Sequence, residues 1–202
     1  MNYIAHIHQA HTTQTSLLGN FMGDFVKGSD LEHLPDAIAQ GVRLHRKIDS
    51  FTDSHPIIIQ LRESFPASLR RMSGVVIDVY FDHLLCLHWS RVSEVELDTM
   101  LNLFYQELAA KHVVLASKKT QLRFAAVKQG LLTHQWLQDY AQREHCIRAF
   151  FSIEKRLGNK ISFAKQADIF LAQKHDDLQQ AFIQFYPLLL AFSEAQARQI
   201  KS

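Results

Sequence analysis

Cysteine, glycine and proline are all scarce, at two, seven and four in 202 residues. Cys86 and Cys146 lie far apart and form no CxxC pair, which excludes a disulfide scaffold and a thiolate-rich zinc site. Few glycines and prolines leave little turn chemistry for a sheet-rich fold. No apolar run approaches the about 18 residues of a membrane helix, and no basic-then-apolar leader opens the sequence. Membrane insertion is therefore not expected, and cytoplasmic placement is. A formal net charge of +2 lacks the strong positive balance of a nucleic-acid binder. What is present is ordinary globular composition, 47% apolar and 21% charged, with enough chain for one domain over residues 1–202. The oddity is twelve histidines. His6, His8, His11, His45, His55 and His83 all fall in the first half.

Apolar spacing predicts helices almost throughout. The first covers residues 2–10, and the second runs from Thr15 to Lys27, stopped by Gly28. Pro35 opens a third that reaches Ser54, and Pro56 a short fourth that Pro66 ends. The segment "VVIDVYFDHLLCLHWSRV" is apolar nearly all round and reads as a buried central helix over about residues 73–91. Ser93 and Glu96 form a capping-box pattern before the next helix. Further helices are predicted near 118–129, 132–157 (broken near Tyr140) and 163–200, with Pro187 kinking or breaking the last. The expected class is all-α, a single-domain multi-helix bundle.

Several core faces of these helices carry polar groups. In "GVRLHRKIDSFTDSHP", residues 41–56, His45, Asp49, Thr52 and Asp53 line one stripe beside the apolar stripe Leu44, Ile48 and Phe51. In the central helix, Asp78 and Asp82 share a face with Val75, Leu85, Cys86 and Trp89. Asp24 continues the face of Leu17 and Phe21, with Asn20 one turn before it, and Asn2 and His6 are also one turn apart. An unpaired buried carboxylate costs several kcal/mol, so something must compensate. An ion-pair network with Arg43, Arg46, Arg70 or Arg71 is one solution. Taken with His6 and His45, the set better suits a divalent cation such as Mn²⁺, Mg²⁺ or Fe²⁺. His83 follows Asp82 directly, but neighbouring helix residues point about 100° apart. No GxSxG, Walker loop or dinucleotide fingerprint is found, and "SLLGNFMGDFVKG" lacks phosphate-loop spacing.

The segments "MNYIAHIHQAH", "LLGNFMGDFVKG", "GVRLHRKIDSFTDSHP", "RRMSGVVIDVYFDHLLCLHW" and "QFYP" occur in that order, and with them the chain resembles the acyl carrier protein phosphodiesterase family. The resemblance implies hydrolysis of the phosphodiester between 4′-phosphopantetheine and a serine of acyl carrier protein. It also implies a helical, Mn²⁺-associated protein distantly similar to the HD phosphohydrolases. The family's essential aspartate falls on Asp24, whereas the HD order is reversed here, as "DH" at Asp82–His83. The expected ligands are His6, Asp24, His45 and Asp82, with Asp78 as ligand or base, so that Asp24 and Asp78 are the catalytic candidates. Lys27 and Arg46 are candidates to hold the phosphate. Asn20, Asp49, Asp53 and His83 are expected to stand behind the ligands, Asp49 by orienting His45 or Arg46. Because acyl carrier protein is strongly acidic, Arg62, Arg70, Arg71, Lys119 and Arg123 are candidates for docking it. Two rivals are a helical nucleotide phosphohydrolase using the same metal and a catalytically silent binding module.

Overall fold

The computed structural model describes residues 1–29 and 31–201. In chain order its helices are α1 (Tyr3–Thr12), α2 (Leu17–Met22), α3 (Asp36–Ser54), α4 (Pro56–Glu63), α5 (Ala67–Arg70) and α6 (Ser73–Leu87). Then follow α7 (Leu97–Ala110), α8 (Lys118–His134), α9 (Arg143–Arg156), α10 (Ala164–Gln173) and α11 (His175–Lys201). Short 3₁₀ turns cover Trp89–Arg91 and Gln138–Ala141, and no strand occurs among the described residues. The protein is all-α, as the periodicity predicts.

One continuous apolar core links residues from Met1 to Ala197. Helix α6 is its centre: Val76, Ile77, Tyr80, Phe81, Leu84 and Leu85 are all essentially buried, and α6 packs against α1, α4, α9 and α11. Helices α2 and α3 meet backbone to backbone. A Cβ added at Gly41 would lie 2.7 Å from the backbone of Gly19 and Asn20, so only glycine permits this approach. The same approach sets Gly23 under the His45 ring, where a Cβ would lie 2.1 Å from the imidazole.

Several boundaries differ from the sequence reading for identifiable reasons. Helix α2 stops at Met22 instead of Lys27, because the Phe25 and Val26 N–H groups both donate to the Met22 carbonyl and turn the chain. The central helix ends at Leu87, and the Trp89–Arg91 turn follows, its indole donating to the Val95 carbonyl at 2.7 Å. The capping box does not form: Ser93 Oγ accepts from the nearby Val95 N–H, and α7 begins only at Leu97. The break near Tyr140 falls where expected, at the Gln138–Ala141 turn, but α8 runs on to His134 without the gap expected after residue 129. The predicted 163–200 helix is divided at Lys174 into α10 and α11, while α11 continues through Pro187. A proline there forfeits one helical hydrogen bond, which the flanking buried Phe185, Tyr186 and Leu189 outweigh by packing.

His8 shows what this core does to a titratable group. It is buried, 2.7 Å through Nδ1 from the Tyr186 hydroxyl and ring to ring with Trp89. Burial, reinforced by His11, lowers its pKa from 6.5 to about 4. Below pH 6.5 the unfolded chain therefore takes up a proton that the folded chain refuses. Stability from this group is full above pH 6.5 and lost as pH falls toward 4, at up to about 1.4 kcal/mol per pH unit. Melting curves of wild type and His8→Gln between pH 4 and 7 measure this. The stability difference is expected to shrink with falling pH, and parallel curves would show that His8 does not carry it.

Candidate active site

Helices α1 and α3 bring His6, His45 and Asp49 together, with one donor atom of each within 4.8 Å of the others. His45 and Asp49 are one helical turn apart, and His45 Nε2 lies 3.0 Å from Asp49 Oδ2. His6 arrives from α1 and places its Nε2 3.1 Å from Asp49 Oδ1. The two imidazoles stack at a centroid distance of 3.8 Å. Both Nδ1 atoms are buried without a hydrogen-bond partner, so each ring's polar contact is directed at the carboxylate. Burial and the neighbouring His45 lower the His6 pKa to about 4, leaving a neutral imidazole, the form that binds metals. Burial alone would raise Asp49, but the imidazoles and the Met1 ammonium outweigh it and hold the carboxyl well below the usual range.

Beside this cluster, the Met1 α-ammonium is fully buried, 3.0 Å from Asp78 Oδ1 and 3.4 Å from Asp49 Oδ1. Burial opposes its charge, yet the two carboxylates raise its pKa to about 11. Burial pushes the Asp78 carboxyl up despite that ammonium.

Two cavities meet here. A shallow recess of about 310 Å³ is lined by Gly23, Asp24, Lys27, His45, Arg46 and Asp49. A larger cleft of about 580 Å³ runs past Met1, Tyr3, Asp78 and Arg123 to Trp136, Tyr140 and the face of α9. Asp24 lines both. It lies in the turn after α2, half-buried, with Arg123 Nη1 3.4 Å from its backbone carbonyl.

Comparison with known proteins bears directly on this arrangement. The family model for acyl carrier protein phosphodiesterase matches residues 1–189. The chain belongs to that family. Relatives named acyl carrier protein phosphodiesterase from Escherichia coli K12 and from Escherichia coli O81 (strain ED1a) are each 32% identical over 197 residues, covering 98% of this chain and 100% of theirs. No solved structure matches it, and the expected HD likeness stands on the sequence alone.

Within this family member the candidate residues divide into groups that the sequence did not separate. Asp24 lines both cavities, Asp78 the cleft, and His45 and Asp49 the recess, while buried His6 joins His45 and Asp49 from behind. Asp82 lies elsewhere: fully buried, it accepts from the Ile4 and Ala5 N–H groups at 2.9 and 3.0 Å and so caps α1. His83 faces the other way and bonds to the Tyr140 carbonyl at 2.8 Å. The adjacent Asp82–His83 pair is thus split between two structural contacts. Asn20 is buried in the α2–α3 contact, donating to Thr15 Oγ1. Asp53 is exposed and pairs with Arg62.

The basic residues divide similarly. Lys27 is exposed at the recess, whereas Arg46 Nη2 is committed to the Val26 and Gly28 carbonyls at 3.2 and 2.7 Å. Arg62 and Arg70 border a separate hollow of about 260 Å³, and Arg71 and Lys119 are exposed. Arg123 is no surface docking group: it is half-buried in the cleft wall, its guanidinium 4.7 Å above the Phe25 ring. Sequence reading missed the contribution of α9. Arg148, Ser152 and Arg156 recur every four residues, and that mixed stripe was the available signal for a cleft wall.

No helix is long and apolar enough to cross a membrane among the described residues.

Proposed function

We propose that this chain hydrolyses the phosphodiester joining 4′-phosphopantetheine to a serine of acyl carrier protein, with a divalent cation held by His6, His45 and Asp49. The observation that carries it is the convergence of two imidazoles and a carboxylate at the edge of a recess, in a member of this family. Such a mixed nitrogen and oxygen donor set fits Mn²⁺ or Fe²⁺, with Mg²⁺ less suited to imidazole. When bound, the cation supplies Lewis-acid polarisation of a phosphate oxygen and a lowered pKa for a water.

The chain's own residues do the rest. Asp24 and Asp78 are the carboxylates beside the cavities, placed to take a proton from the attacking water. Lys27 offers its ammonium to the phosphate, while Arg46 anchors the loop that carries Lys27. Water adds to phosphorus, the bond from phosphorus to the serine oxygen breaks, and that oxygen takes a proton. Apo-protein and 4′-phosphopantetheine leave. Arg62, Arg70, Arg71 and Lys119 remain the surface cations available to an acidic carrier protein, and such docking slows as salt rises. Free Cys86 and Cys146 fit a reducing compartment such as the cytoplasm.

Mass spectrometry of holo-acyl carrier protein incubated with the purified chain tests this reading. Loss of the phosphopantetheine mass is expected with Mn²⁺, is abolished by EDTA and restored by excess Mn²⁺, and is missing in Asp24→Ala. No conversion with Mn²⁺, Fe²⁺ or Mg²⁺ would overturn it in favour of a nucleotide substrate or a silent binding module.

A further inference from the structure

The larger cleft has no counterpart in a site that only needs to hold a phosphate. At about 580 Å³ it falls within the roughly 300–1,000 Å³ of small-molecule sites, and it is too narrow for a folded carrier protein. Its walls mix apolar groups, such as Val79 and Ile153, with the Trp136 and Tyr140 rings. That lining suits a slender chain with both alkyl and amide portions. At the end shared with Asp24 stands Arg123. Its guanidinium carbon lies 4.7 Å over the Phe25 ring, its Nε is buried without a partner, and the bond from its Nη1 to the Asp24 carbonyl is long, at 3.4 Å. A half-buried cation with one unpartnered donor beside Asp24 complements an anionic group at one end of a neutral chain.

Building on the hydrolase reading above, we propose that this cleft seats the phosphopantetheine arm, with its phosphate at the Asp24 junction of the two cavities, where Arg123 holds it from the cleft side and Lys27 from the recess. The phosphate stays on the arm when the serine oxygen leaves, so substrate and small product share this seat. Free 4′-phosphopantetheine is therefore a ligand in its own right, and Arg123 helps to distinguish it from pantetheine.

Calorimetric titration with 4′-phosphopantetheine and with pantetheine tests the assignment, on wild type, Arg123→Gln and Ala149→Trp. The Trp side chain would fill the cleft from α9; Ser152→Trp, at an exposed position, replaces it if Ala149→Trp does not melt like wild type. Wild type is expected to bind the phosphorylated compound at least about tenfold more tightly than pantetheine. Arg123→Gln should cut that preference several-fold, the remainder coming from Lys27, and a plugged cleft should weaken both ligands and raise KM for holo-acyl carrier protein. A wild type that hydrolyses holo-acyl carrier protein while the plugged variants bind and cleave unchanged would overturn the cleft assignment alone. A wild type that binds 4′-phosphopantetheine but leaves holo-acyl carrier protein intact would overturn the hydrolase reading and leave the cleft standing.

Discussion

Asp49→Ala is expected to lower Mn²⁺-dependent hydrolysis of holo-acyl carrier protein by about 10²–10⁴-fold, the scale of a positioned group at the reacting centre. Asp49 is the contact that unites α1 with α3 at the site, since His6 and His45 each approach one of its oxygens. Without it the stacked imidazoles keep no shared anion, and the donor set falls from three groups to two. The Met1 ammonium would retain Asp78 alone. Asp49→Asn preserves the shape and an acceptor but removes the charge, so it should rescue folding more than turnover. Calorimetric Mn²⁺ titration separates the roles. Unchanged Mn²⁺ affinity in Asp49→Ala would remove Asp49 from the ligand set and return it to an orienting part beside His45.

The second large effect is on stability. Asp82→Ala should cost about 3 kcal/mol, because two buried backbone N–H groups, those of Ile4 and Ala5, lose their acceptor. In a chain of this length that is a fall in Tm of about 6–12 °C without added metal. Had Asp82 served as a ligand instead, the loss would appear in Mn²⁺ affinity while the metal-free melt stayed as in wild type, and that result would sink the capping role. The group has its own pH signature. Burial raises its pKa to about 7, against the pull of the two N–H groups. Folded Asp82 keeps its proton between pH 3.8 and 7, where the unfolded chain has lost it. Its contribution is thus full below pH 3.8 and declines as pH rises toward 7, a slope that Asp82→Asn removes.

These two aspartates show where a sequence reading stops. Helical periodicity is local, so the all-α class, the buried central helix and the polar stripe from His45 to Asp53 were legible from neighbours within a few turns. Asp49 is legible as an i,i+4 partner of His45, which by itself implies a place behind that ring. Its central position depends on His6, which is 43 residues away in sequence. Helical spacing puts Asp82 on a core face, where it is buried, but its compensation comes from the start of α1, 77 and 78 residues away. Nothing in its own helix distinguishes a distant backbone cap from a metal.

Arginines are harder still, because a long side chain chooses among partners that only packing supplies. Arg46 turned to two loop carbonyls, and Arg123 folded over Phe25 into the cleft. The helices, the apolar core and the stock of histidines and carboxylates follow from residue type and short-range spacing. Which of these groups meet follows from how the helices pack. The glycine contact of α2 with α3 and the docking of α1 onto α6 set those distances, and a metal donor set is defined by distance.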